Sequence, residues 1–186
     1  MDTTTAALIG AGIGAVCGLT GTLASAFLSG WRQERVEANK RRWANEDAEA
    51  RKLEDSINQL TVKLASAIHS MCWIAWIARA APARLTQEQA ATYDKEMHLI
   101  LADIAGLLST VGSLDTAAFD QVRNHTATVY RLDVAVARAC SNIDADQSAA
   151  VTALDGLYRE FLAFEEGLPV LMADVLKKLP HRTKRN

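Results

Sequence analysis

Turn-forming residues are scarce in this sequence, with three prolines and ten glycines in 186 residues, and aromatics make up only 6%. Proteins built from strands need a turn signal every few residues, and so short a supply argues against them. Cysteine is scarce as well. Cys17, Cys72 and Cys140 stand far apart, form no C-x-x-C pair and define no disulfide framework, which fits a reducing compartment for the soluble part of the chain. An excess of one charge is also missing. Twenty Lys and Arg stand against 22 Asp and Glu, a formal net charge of −2, so no global basic field points to nucleic acid.

The motifs of chemistry are missing too. There is no H-E-x-x-H, P-loop, G-x-S-x-G or zinc-ligand spacing. A ferritin-like bundle needs Glu-x-x-His pairs, and no Asp or Glu here precedes a His by three. His69, His98, His125 and His181 fall on four separate segments, and Asp94 with His98 reads as a surface contact. Cys72 and Cys140 read as small core residues. The expectation is a protein without catalytic residues, cofactor or metal.

What is abundant is apolar and helix-favouring: 49% of residues are hydrophobic, with Ala, Leu, Glu and Arg prominent. The longest apolar run lies at the start. No charged residue occurs from Thr3 to Trp31, and about 20 apolar residues suffice to cross a bilayer. Within it "GAGIGAVCG" matches G-x-G-x-x-A, but a dinucleotide fold would need a strand before it and a second strand after its helix. The next segment is the charged, helical "WRQERVEANKRRW". A cleaved signal peptide would carry its positive charge in front. Here Arg32, Arg35, Lys40, Arg41 and Arg42 all follow the run. The remaining reading is a membrane anchor over residues 1–30, with the N-terminus outside and the bulk of the chain on the cytoplasmic side of the inner membrane. Gly10, Gly14, Gly18 and Thr22 recur every four residues, a spacing that lets membrane helices approach closely.

From Trp31 to Ala81 there is no Gly and no Pro, so one helix is expected to run on to Pro82. Residues 31–52, dense in both charges, read as a solvated stalk. A heptad seam then follows at Leu53, Ile57, Leu60, Leu64, Ala67, Met71, Ile74 and Ala78. After Pro82, Thr86 and Gln89 offer a capping box for a second helix carrying Tyr93, Met97, Ile100, Ile104, Leu107 and Val111, expected to stop at Gly112. A third begins near Asp115 and carries Phe119, Val122, Thr126, Val129, Val136 and Cys140. The fourth carries Val151, Leu154, Tyr158, Phe161, Leu168, Met172 and Val175, with Gly167 and Pro169 expected to kink or break it. The fold class is therefore all-α: a transmembrane helix continuing into a long helix that joins an up-down four-helix bundle over residues 53–179. Residues 180–186 form a basic tail. Arg32, Arg35, Arg41, Arg42, Lys177, Lys178 and Arg182 are the basic residues expected near lipid headgroups.

One stretch exceeds what a plain bundle needs. "LASAIHSMCWIAWIA", from Leu64 to Ala78, is apolar all round, with His69, Trp73 and Trp76 opposite the heptad seam. It is short for a second span. Neighbouring helices wrapping it fully is one explanation. The other is a contact surface, because tryptophan is enriched at interface hot spots.

The order of parts, a Gly/Ala-rich span followed by "RRW", charged residues and a helical region, resembles small single-pass membrane proteins of actinobacteria and their phages. The resemblance covers the first third of the chain and carries over no functional residue. The function expected is a non-catalytic, membrane-tethered interaction or scaffold module, self-associating, with the bilayer, further copies and a protein as partners. The rival is a membrane-active protein, holin-like or a defence effector, whose glycine-ladder helices assemble into a pore.

Overall fold

The computed structural model describes residues 3–141 and 143–179, and side chains from Gln33 onward. Four α-helices lie among the described residues: α1 (Thr3–Ala80), α2 (Gln87–Leu114), α3 (Thr116–Cys140) and α4 (Gln147–Lys177). A single 3-10 turn, Pro82–Arg84, links α1 to α2, and there is no strand among the described residues. The fold class is all-α.

The helix boundaries follow from local chemistry. With neither Gly nor Pro after Trp31, nothing interrupts α1 until Pro82, which lacks an N–H and disfavours helix in the residue before it. Thr86 starts α2 by accepting the Gln89 N–H at 3.3 Å on its hydroxyl. Asp146 starts α4 by accepting the Ala149 N–H at 2.9 Å. Asp115 serves two helices. Its backbone N–H closes α2 on the Val111 carbonyl at 2.8 Å, and its carboxylate accepts the Ala118 N–H of α3 at 2.9 Å. Each such side-chain cap contributes about 0.5–2 kcal/mol.

One expected boundary is corrected, and of the kink or break expected in α4 the break is absent. Helix α2 does not stop at Gly112 but runs to Leu114. Gly112 serves packing instead: a Cβ there would stand 3.1 Å from the Phe119 ring of α3. Helix α4 is not broken at Gly167 and Pro169, for Pro169 lies inside it. A proline within a helix costs about 3 kcal/mol. Burial of Phe161 and Leu168 before it, and of Met172 and Val175 after it, holds both halves to one core.

Residues up to Ala48 and from Glu49 form two separate units. In the first, every side chain from Gln33 to Ala48 is exposed. Arg42 Nε meets Glu46 Oε1 at 2.9 Å, and Arg41 lies 3.9 Å from Glu37, each pair one helical turn apart. Such pairs support an isolated helix by about 0.2–0.5 kcal/mol each. Gly10, Gly14, Gly18, Thr22 and Arg32 lie in α1, but their side chains are outside the described residues. Arg182 and the tail over 180–186 are outside them as well.

The second unit is the bundle, and its polar contacts fix the order of the helices. Lys63 of α1 meets Asp103 of α2 at 2.7 Å, and Arg79 of α1 lies 3.7 Å from Asp155 of α4. Arg131 of α3 meets Glu160 of α4 at 2.6 Å. The Tyr93 hydroxyl of α2 reaches Asp133 of α3, and the Tyr130 hydroxyl of α3 reaches the Leu101 carbonyl of α2. Each helix thus has two antiparallel neighbours, an up-down bundle closed in a ring. The core is shared by all four. Ile57, Leu60, Leu64, Ile68 and Met71 of α1 are fully buried with Ile104, Leu132, Leu154 and Phe161 of the other three. All eight positions of the expected seam, Leu53 to Ala78, are buried.

Candidate interaction surface

The side of α1 that faces the core is dry, and the opposite side is bare. Along that opposite side the exposed residues are Val62, Ala65, His69, Trp73, Trp76 and Ala80, which recur at three- and four-residue steps. Trp73 is 41% and Trp76 46% exposed, in a helix whose next-door residues Ile74 and Ala75 are fully buried. The neighbouring helices therefore do not wrap the tryptophans, and wrapping does not explain their presence. From Ser56 to Ala78 the only formally charged residue is Lys63.

Helix α2 continues the pattern with different side chains. From Met97 to Leu114 its only charged residue is Asp103. Leu99 is 62% exposed, and Ala102, Ala105 and Gly106 also face out. A Cβ added at Gly106 would meet nothing within 4 Å. The single charges of these two apolar stretches are each other's partners, through the 2.7 Å Lys63–Asp103 pair. Both helices are long and apolar enough to cross a membrane: half of the apolar stretch in α1 is buried, against 17% in α2. Burial in the core accounts for much of the apolarity of α1; in α2 Met97, Ile104 and Val111 are buried and Ile100, Leu101, Leu107, Leu108 and Leu114 pack half-buried against the core, which leaves Leu99 exposed.

Of the residues singled out from the sequence, His69, Trp73 and Trp76 share this face. Lys177 is exposed, and Lys178 pairs with Asp174 at 2.5 Å on its own helix. Arg35 is exposed.

Three features were not legible in the sequence, because each joins residues distant along the chain. Glu165 of α4 reaches back to α1, where its Oε2 accepts from the Cys72 thiol at 3.6 Å and its Oε1 lies 3.6 Å from His69 Nδ1. Burial, then the adjacent Glu165 charge and hydrogen bond, push the Cys72 thiol up to about 12. Burial raises Cys140 to about 11. Both thiols stay protonated near neutrality, and a thiol without its thiolate is a poor nucleophile. Second, the Tyr93 hydroxyl donates to Asp133 Oδ1 at 2.9 Å. Burial raises the Asp133 carboxyl, an effect partly offset by that hydrogen bond. Burial also raises Tyr93, with the Asp133 charge adding to it. Beside this pair lies an open groove of about 250 Å³, lined by Gln87, Tyr93, Asp94 and Cys140 among others. Third, the Gln147 amide donates to the Pro82 and Leu85 carbonyls at 3.1 and 2.8 Å, tying the start of α4 to the turn after α1.

Among the described residues no group of three or more His, Cys, Asp or Glu side chains is placed to hold a metal ion. No family profile matches the chain, and neither a curated protein nor a solved structure matches it. The structure thus defines a class by architecture: an all-helical, up-down four-helix bundle entered through one long N-terminal helix.

Proposed function

We propose that the protein is a non-catalytic interaction module, tethered to the cell membrane through residues 1–30, with the bundle on the cytoplasmic side and self-association as its working state. The observation that carries this reading is the exposed Trp73–Trp76 pair on an outer face without unpaired charge. Large aromatic side chains left in water on a well-packed helix are the usual mark of a contact surface. The uncharged run from Thr3 to Trp31, followed by basic residues, supports the tether and its orientation.

The test uses the full chain in mild detergent and in membranes. Trp73→Ala with Trp76→Ala is expected to leave helicity unchanged and to lower the oligomer mass in light scattering. Loss of helicity would make the tryptophans core residues, and an unchanged mass would remove them from self-association. The length and apolarity of the α2 stretch, with Leu99 exposed, favour one rival, a membrane-active protein. Induced expression that depolarises the host cell, and relief by Gly14→Leu, would decide for that rival.

A further inference from the structure

The outer faces of α1 and α2 complement each other in size. Helix α1 presents bulk, with Val62, Trp73 and Trp76. Apart from His98, Leu99 and the paired Asp103, α2 presents small side chains on its apolar half, with Ala102, Ala105 and Gly106. The Lys63–Asp103 pair sets the level of one helix against the other. Val62 therefore stands at the height of Ile104, whose outward neighbours are Ala102 and Gly106. Leu99, the bulky apolar exception on α2, stands at the height of Ala67, whose half-exposed neighbours are Ser66 and Ser70. Trp73 stands at the height of Tyr93, where Ala91, Thr92, Asp94, Lys95 and Glu96 are exposed.

From this complementarity we infer that the α1–α2 face binds a second copy of the chain, about a two-fold axis parallel to the helices. The inference rests on the self-association reading above and names its geometry. The axis lays α1 of each copy on α2 of the other and keeps levels unchanged. Val62 then drops between the second copy's Ala102 and Gly106, Leu99 covers its Ser66 and Ser70, and Trp73 covers its Ala91 beside the Lys95 stem. Bulk meets small residues at the Val62 and Leu99 levels, in an isologous contact where each match occurs twice.

Charge obeys the same symmetry. Lys63 and Asp103 sit side by side at the seam between α1 and α2, with side chains 40% and 55% exposed. A two-fold along that seam sets the Lys63 of each copy against the Asp103 of the other. Four charges then alternate in sign, where a parallel two-fold laying α1 on α1 would set Lys63 level with Lys63. The arrangement also leaves the Glu49 ends of both bundles at the same end of the pair, as two chains tethered in one membrane require.

Disulfide trapping in native membranes tests the geometry, with the full chain in a Cys17→Ser background and two differently tagged copies. Val62→Cys on one and Ala102→Cys on the other are expected to trap a mixed dimer, while Val62→Cys does not trap with itself. Trapping of Val62→Cys with itself, or no trapping at all, overturns the geometry. If Trp73→Ala with Trp76→Ala still lowers the oligomer mass in that event, the contact surface stands and only its geometry fails. Gly106→Leu supplies a second measurement, because bulk placed in open space leaves the bundle folded and fills the site that receives Val62. It is expected to weaken association about tenfold or more with no loss of thermal stability. Unchanged association in that variant overturns the inference. Quenching of Trp73 and Trp76 by brominated lipid chains also overturns it, since the face would then be covered by the bilayer.

Discussion

Helices α1 and α2 differ from α3 and α4 on the outside only. All four contribute fully buried residues to one core. Outward, α3 and α4 carry Asp120, Arg123, Arg131, Arg138, Asp155, Arg159, Glu160 and Glu166, with Val134, Val170 and Leu171 exposed among them but no exposed tryptophan. The apolar stretches of α1 and α2 carry one ion pair, two tryptophans and a run of small residues. Core packing does not require that difference, because a plain four-helix bundle is stable with charge on every outer face. The contrast is the feature on which the proposed self-association through the α1–α2 side rests.

The sharpest break of the comparison would be to find the halves unequal inside. Phe161→Ala in α4 is expected to cost about 3–5 kcal/mol and Ile68→Ala in α1 about 2–5 kcal/mol, both read by denaturant unfolding. A cost below about 1 kcal/mol for either would mean that its helix is not packed into the shared core. A smaller effect is expected where α2 meets α3. Tyr93→Phe removes the hydroxyl that donates to Asp133 and should cost about 1–2 kcal/mol at neutral pH.

The same pair predicts a pH dependence. The Asp133 carboxyl is raised in the fold above its usual 3.8. Its contribution to stability is therefore full below that value and is lost as pH rises through the raised one. Asp133→Asn keeps an acceptor for Tyr93 without the charge. It is expected to gain stability relative to wild type between about pH 4 and pH 7, and a constant difference would show that the carboxyl ionises as it does in the unfolded chain.

The smallest effect belongs to the charged side. Arg131→Ala breaks an exposed pair with Glu160 and should cost less than about 1 kcal/mol, with no change in oligomer mass. A fall in mass would extend the contact surface to α3–α4 and erase the contrast.

Most of the secondary structure was legible because it is written in neighbouring residues. The 4-3 spacing from Leu53 to Ala78 marks one side of one helix, and Thr86 with Gln89 marks the start of the next. The misplaced boundary at Gly112 and the unbroken passage of α4 through Pro169 share a cause. Each residue disfavours helix locally, and in each case packing on a distant helix outweighs that preference: Phe119 against Gly112, and the core-facing residues around Pro169. Trp73 and Trp76 were legible as surplus, since apolar residues on every side of a helix exceed what one core face can bury. Their exposure was not, because it depends on which neighbours α1 acquires.

By itself the sequence determined the helical class, the positions of α1 to α4 and the uncharged N-terminal run, all set by local propensity and by periodicity within a few turns. Only the tertiary structure decided that Lys63 meets Asp103, that Glu165 joins Cys72 to His69, and that one side of α1 stays bare. Those outcomes depend on the register between helices, and register is set by packing across the core rather than by any residue's neighbours in the chain.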